Sequence, residues 1–420
     1  MEYQQLTKDT IKDYVMQYPS AAEALGGAKE IAIEEIGDGN LNYVYRLRNA
    51  AAHNKSVIVK QAVPYLRMAG EDWPLSRNRM DFEIRALQFY NELVPSFVPK
   101  IYHADEDMSV IIMQDLRDHN VIRYRMIEGE VFPRIGEDVG KFLAETLFRT
   151  SGFGMDSLER RRLMQKFNLN DELCKLTEEF IFTFPYMEHD SNYDNPKTSD
   201  YARQTIRQDR EYKLRVLKFK ELFLTKADAL LHADLHTGSL MGNTDETYVI
   251  DMEFAYFGPF GFDVGKIMAN FFMAFTSHYY HSDDATYQGW LMEEAFKIWD
   301  RFESGFLKLW GEQERSAMLE VGMLSDEELA AYKKSFMKRL LQETVGFCAC
   351  SLARRTLGIA GVPDIRKIED EDLRSTLEIT NLKLSQKLMM SYDTIETVGQ
   401  FRDIVEQFYT DTNLSYMEKS

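Results

Sequence analysis

The chain has 420 residues and is 45% hydrophobic, enough for roughly two or three domains and a sizeable buried core. Its 50 basic and 68 acidic side chains leave a net charge of −18, which argues against nucleic acid or an anionic membrane as main partner, because both demand a basic face. Three cysteines (Cys174, Cys348, Cys350) without metal-ligand spacing, no signal-like N-terminus and no run near the ~18 apolar residues of a membrane span predict a soluble, cytoplasmic protein in a reducing compartment.

In chain order, broadly period-two alternation predicts strands over 30–36 and 42–48, with Gly37-Asp38-Gly39-Asn40 as a turn between them, and after a turn at Asn54 the segment 56–60 is a third strand candidate. A helix over 78–93 follows, with Phe82, Ala86, Leu87 and Tyr90 at helical spacing, then strands over 100–104 and 109–113. These make a five-stranded antiparallel sheet with one helix packed on it. After Asp115 the pattern turns helical, over 135–150, 171–182, 201–225, 262–275, 288–309, 326–360 and 373–392. Short strands interrupt it near Asp234 and Asp251, and 188–200 is a polar loop. The expectation is an α+β chain, with a small antiparallel β-sheet lobe over 1–116 and a larger, mostly α-helical lobe over 117–420. The cysteines at 348 and 350 fall inside a long helical pattern and are expected in the core.

The strongest chemical signal is the stretch from Leu230 to Ser239, with His232, Asp234, His236 and Gly238, followed by Asp251-Met252-Glu253. A loop and then a strand ending in carboxylates suits phosphoryl transfer. Asp234 can position an attacking hydroxyl and accept its proton, while Asp251 holds the magnesium that neutralises phosphate oxygens. Extended alternation puts Asp251 and Glu253 on one side, where like charges are costly unless a cation lies beside them. His232 and His236 stand at a metal-ligand spacing that requires a helix, but Gly238 argues for a loop that His232 braces.

Four weaker signals accompany it. Gly37, Gly39 and Asn40 form either a hairpin turn or a cradle for a polyphosphate. Lys60 on the third strand can reach α and β phosphates if a carboxylate holds it, Glu83 or its rival Asp81. Gln114, Asp115 and Leu116 offer strand-edge peptide groups to adenine, or are a plain linker. The twin Arg354-Arg355 near a helix C-terminus can cap it or address an oxygen-rich substrate.

Taken together, these motifs resemble the methylthioribose kinase family, in the small-molecule branch of the protein-kinase-like two-lobe fold that also holds aminoglycoside phosphotransferases and choline kinases. The resemblance runs over nearly the whole chain, through Gly37 to Val44, Gly70 to Leu75, His232 to Ser239, Asp251 to Glu253 and Arg354-Arg355. It implies ATP-dependent phosphorylation of the anomeric hydroxyl of 5-methylthio-D-ribose to the 1-phosphate, within methionine salvage. By the same resemblance Asp234 is the catalytic base and contacts the sugar. Asp251 and Glu253 bind magnesium and, with Met252, the nucleotide phosphates. Gly37, Gly39, Asn40 and Lys60 contact ATP, Gln114 to Leu116 hold adenine, and Arg354 and Arg355 face the sugar and the transferred phosphate. The Trp73 loop borders the nucleotide, and the protein is a homodimer. Ser239 departs from the broader superfamily, where a metal-binding asparagine stands five residues past the catalytic aspartate, so Glu253 is expected to take over that duty. The rivals are a kinase for an aminoglycoside, choline, homoserine or fructosamine-type substrate, and an inactive nucleotide-binding module. Twin arginines disfavour cationic substrates, and Lys60, Asp234 and Asp251 are all retained. No Ala-Pro-Glu sequence follows Asp251, which argues against a protein kinase.

Overall fold

A computed structural model describes residues 2–36, 41–67, 70–193, 195–282, 284–313 and 315–412. The chain divides into two compact units. The first comprises Met1–His119 with Lys166–Leu173 and Tyr248–Ala255, and the second Asn120–Gln165, Cys174–Thr247 and Tyr256–Ser420.

The first unit is built on the expected five-stranded antiparallel sheet. Strands β1 (Ile31–Glu35), β2 (Asn42–Asn49), β3 (Ser56–Ala62), β4 (Ile101–Asp105) and β5 (Val110–Gln114) lie in the order β1-β2-β3-β5-β4. Alternation along β3 sends Val57, Val59 and Gln61 to one face and Ile58, Lys60 and Ala62 to the other. Two short helices that sequence periodicity did not reveal, Ile11–Met16 and Pro19–Ala24, cover the first face. Their Ile11, Tyr14, Val15 and Ala21 share one core with Leu47, Val57, Val59, Val110 and Ile112. Gln61 ties the N-terminal segment down, accepting from the Leu6 N–H at 2.7 Å and donating to the Gln4 carbonyl at 2.9 Å. The predicted helix, Arg79–Leu93, packs on β3 and buries Phe82, Glu83, Ala86, Leu87 and Tyr90. Between β3 and that helix lies an unforeseen small hairpin, Tyr65–Leu66 paired with Gly70–Pro74, which carries the exposed Trp73.

The second unit is mostly helical, with the expected helices at Ile135–Thr150, Gly261–His281, Ala285–Glu312, Asp326–Leu357 and Glu371–Ser391. Helices at Ile122–Ile127, Ser157–Phe167 and Val398–Asp411 were not expected. The expected helix over 201–225 is interrupted: Pro196–Tyr201 runs into a π-turn, Ala202–Ile206, and a fresh helix starts at Arg210. The cause is Asp209, whose side chain accepts from the Tyr212 N–H at 3.0 Å and so caps a new helix rather than continuing the old one. Among the described residues no helix is long and apolar enough to cross a membrane.

The helices Gly261–His281 and Asp326–Leu357 pack together, and the second also packs on Glu371–Ser391. The long helix starts from a capping box in which Ser325 and Glu328 satisfy each other's backbone N–H groups. Cys348 and Cys350 lie buried on it as free thiols, as core residues. Phe347 is edge-on to Phe219 and Phe262, with centroids at 5.0 and 5.3 Å. Gly265 makes the close crossing feasible: a Cβ there would stand 2.5 Å from the Thr344 carbonyl oxygen and 2.7 Å from the Cys348 nitrogen. Both contacts are backbone, so relief requires moving a helix. Gly265→Ala is therefore expected to lower stability by about 1–3 kcal/mol, read as a lower urea midpoint at unchanged slope; an unchanged midpoint would show the crossing to be compliant.

Candidate active site

In the first unit charged groups converge on Lys60. It lies on the face of β3 opposite Val57 and Val59, only 3% exposed, between Val44 and Ile111 on the neighbouring strands. Its ammonium donates to Glu83 at 2.8 Å and pairs with Asp251. Burial works against the charge, but Asp251, Glu83 and Glu253 more than offset it and raise the Lys60 pKa above lysine's ordinary value. Asp81, the rival partner, faces Arg85 instead, at 4.0 Å.

The two carboxylates of Asp251-Met252-Glu253 are arranged differently from the extended alternation expected. Asp251 takes a left-handed backbone conformation, φ +66°, so the chain turns there. The Asp251 side chain stays half exposed (52%), and that of Glu253 turns inward (5%). Glu253 Oε2 accepts from Asn42 Nδ2 at 2.9 Å and lies 3.6 Å from Arg79 Nε. Arg79 in turn donates to Asn42 Oδ1 and to the carbonyls of Ser76 and Leu41, at 3.1, 2.6 and 2.9 Å. Asn170 pins the segment from below by donating to the carbonyls of Glu253 and Ala255.

The second unit inverts the arrangement, with one carboxylate among cations. Asp234 stands in a loop between the strand Ala229–Leu231 and the short helix Thr237–Ser239. Its Oδ1 accepts from Lys266 Nζ at 2.6 Å and lies 3.7 Å from Arg355 Nη2, and its Oδ2 lies 3.4 Å from His236 Nε2. Burial would push the carboxyl up, but Lys266, His236 and Arg355 hold it well below the usual carboxylate range. The loop is fixed by its own groups. His232 Nδ1 accepts from the Asp234 N–H, so His232 does brace the loop. His236 Nδ1 accepts from the N–H groups of Gly238 and Ser239, which leaves its Nε2 to carry a proton when the ring is neutral. Burial and the neighbouring Arg123 keep that ring neutral, well below the ordinary histidine pKa. Ser239 Oγ is engaged by the loop too, accepting from the His236 N–H and facing the Asp234 and His236 carbonyls.

The twin arginines occupy the last turn of Asp326–Leu357. Arg355 is buried and reaches the Ala360 carbonyl through Nη1 at 3.2 Å, while its Nε and Nη2 have no hydrogen-bond partner among the described residues. Arg123 adds a third guanidinium, donating to Thr237 Oγ1 and Asn270 Oδ1, both at 3.2 Å. A buried guanidinium with unmet donors, beside a quarter-exposed carboxylate, suits a ligand rich in oxygen atoms.

Residues 32–296 match the model of the phosphotransferase enzyme family. Methylthioribose kinase 1 of Oryza sativa subsp. japonica is 35% identical over 418 residues, covering 97% of this chain and 96% of the relative. Methylthioribose kinases of Geobacillus sp. and Bacillus cereus are 37% and 36% identical, over 90% and 97% of this chain and 90% and 98% of their own lengths. The chain belongs to the methylthioribose kinase family.

Of the residues the family likeness singles out, Lys60, Asp251 and Glu253 meet in the first unit, and Asp234, Arg354 and Arg355 in the second. Gly37, Gly39 and Asn40 lie outside the described residues. At Gln114 to Leu116, the Gln114 N–H donates to the Lys100 carbonyl, Asp115 accepts from Arg46 Nε at 2.9 Å, and the Leu116 carbonyl accepts from the His119 N–H. Sequence reasoning missed Asn42, Arg79, Arg123, Asp263 and Lys266. For Lys266 a signal existed, because it sits in a helix apolar on nearly every side, where an unpaired ammonium is not tolerated. Arg79 is as deeply buried as the carboxylate it serves. Arg79→Leu should lower stability by about 3–5 kcal/mol, since it strands Glu253 in the interior. Chemical denaturation measures this, and a loss under ~1 kcal/mol, the value of a surface pair, would show Glu253 to be solvated instead.

Proposed function

We propose that this protein transfers the γ-phosphoryl group of ATP to the anomeric 1-hydroxyl of 5-methylthio-D-ribose, giving the 1-phosphate in methionine salvage. The observation that carries the substrate is the 35–37% identity to methylthioribose kinases along nearly the whole chain. Kinases of this family use ATP with a divalent metal. In this reading the first unit binds the nucleotide: Lys60 draws in the α and β phosphates, Gly37, Gly39 and Asn40 contact the phosphates, Gln114 to Leu116 receive adenine, and Met252 lies along the nucleotide. Asp251 and Glu253 are the ligands for magnesium. Asp251 fits a hard cation well, as a half-exposed carboxylate with one oxygen committed to Lys60; Glu253 has one oxygen on Asn42 and Arg79 and offers the other. The metal supplies neutralisation of phosphate charge.

Asp234 receives the sugar. Its clamped carboxylate accepts a hydrogen bond from the 1-hydroxyl and orients that oxygen toward phosphorus. As the new oxygen–phosphorus bond forms and the bond to ADP breaks, the hydroxyl proton passes to Asp234. A carboxylate held this far down is a weak base, so it contributes orientation first and takes the proton late, as a loose phosphoryl-transfer transition state permits. Arg354 and Arg355 take the sugar oxygens and the transferred phosphate, which satisfies the open donors of Arg355. Cationic choline or aminoglycoside would meet repulsion here. The enzyme works as a cytoplasmic homodimer.

A panel of methylthioribose, choline, an aminoglycoside, homoserine and a fructosamine, each assayed with ATP for ADP release, tests the reading. Methylthioribose should give the highest kcat/KM, and Asp234→Ala should cut its kcat roughly 10²–10⁴-fold while ATP still binds. Faster turnover of another acceptor, or near-normal kcat in the variant, would contradict it.

A further inference from the structure

The helix Gly261–His281 carries a polar stripe at Asp263, Lys266 and Asn270, spaced to lie on one face and otherwise flanked by apolar residues over 261–275. The stripe grips the Asp234 loop at successive points. Asp263 accepts from the N–H groups of His232 and Ala233 at 2.7 and 2.9 Å. Lys266 Nζ donates to the Ala233 carbonyl at 2.9 Å and to Asp234 Oδ1 at 2.6 Å. Asn270 Oδ1 accepts from Arg123 and faces the Thr237 hydroxyl. Ala233, held on both sides, has φ +66°, a conformation that non-glycine residues rarely adopt. Asp263 and Asn270 hold backbone and neighbours, but Lys266 alone of the three touches the carboxylate.

We propose that Lys266 is a positioning residue for phosphoryl transfer, clamping Oδ1 of Asp234 and the Ala233 carbonyl so that Oδ2 is presented to the acceptor hydroxyl. The proposal rests on the reading of Asp234 given above. The fold does not require an ammonium here. A leucine or methionine would suit this buried helix face better, and burying the charge is unfavourable unless its partner has a use for it. The clamp fixes which carboxylate oxygen is available, and oriented reacting groups lose much of their rate when displaced by an ångström.

The clamp also titrates. Burial, with Arg354 and Arg355 on the helix Asp326–Leu357, pulls the Lys266 pKa down to about 8, against the upward pull of Asp234. Asp263 on its own helix and Asp234 on the loop are the acids it faces. As pH rises through about 8, Lys266 loses its proton and Asp234 loses its closest cation. Turnover should fall with it.

The test compares pH profiles of kcat for wild type, Lys266→Arg and Lys266→Met, with methylthioribose and ATP. Arginine does not titrate in this range. Lys266→Arg should therefore lose the alkaline decline near pH 8 that wild type shows. Lys266→Met should lose about 10²-fold in kcat with KM for ATP little changed. An alkaline decline shared by wild type and Lys266→Arg, or wild-type kcat in Lys266→Met, would overturn the proposal. Should wild type not turn over methylthioribose at all, the substrate reading fails, and ¹³C-methyl-lysine NMR decides for Lys266. The resonance absent from Lys266→Arg should titrate near pH 8 and move to lower pH in Asp234→Asn; a resonance indifferent to Asp234→Asn would overturn the clamp.

Discussion

Charge taken out of water has to be answered from inside the protein, and this chain answers it twice with opposite signs. In the first unit one buried ammonium, Lys60, is surrounded by the carboxylates of Glu83, Asp251 and Glu253. In the second, one carboxylate, Asp234, is surrounded by Lys266, Arg355 and a neutral His236. Each arrangement stabilises its central charge at neutral pH and fixes its direction. On the proposed function these supply what phosphoryl transfer to an alcohol requires: a cation for phosphate that keeps its proton and a carboxylate for the hydroxyl that takes one late.

Both centres stand on unusual backbone. Among the described residues three non-glycine residues have positive φ, and two of them are Ala233, next to Asp234, and Asp251 itself. Such conformations cost about 1–3 kcal/mol each and persist only where the surroundings over-determine them. Here the surroundings do so: Asp263 and Lys266 hold Ala233 from both of its peptide groups, and Asn170 holds the chain just after Asp251. The helix that carries Asp263 and Lys266 crosses Asp326–Leu357 closely at Gly265, so one helix both packs the helical core and holds the loop that bears the carboxylate.

The sheet was readable because β1 and β2 alternate and β3 and β5 are short apolar runs bounded by turn residues, with a lysine standing among the valines of β3. The long helices were readable from their period, and the motif around Asp234 from its density of polar residues. The misses have physical reasons. The helices Ile11–Met16 and Pro19–Ala24 are too short to show a period and exist because the sheet face beneath them needs covering. The helix over 201–225 looked continuous because its apolar spacing spans the break, and the capping preference of Asp209 won. Alternation failed at Asp251 because a left-handed turn cannot be seen in a non-glycine residue. Glu83 was found from its place on the helix after Lys60, but Arg79 and Arg123 stand among other charges in the sequence, and only the tertiary structure buries them beside carboxylates.

The carbon that receives the phosphoryl group is the decisive observable. Methylthioribose labelled with ¹³C at C1, incubated with ATP and followed by ¹³C and ³¹P NMR, reads this directly. The expected result is a C1 resonance split by phosphorus, growing in step with ADP and abolished by Asp234→Ala. ADP accumulating without phosphorus on C1, or phosphorus appearing on another carbon, would contradict it.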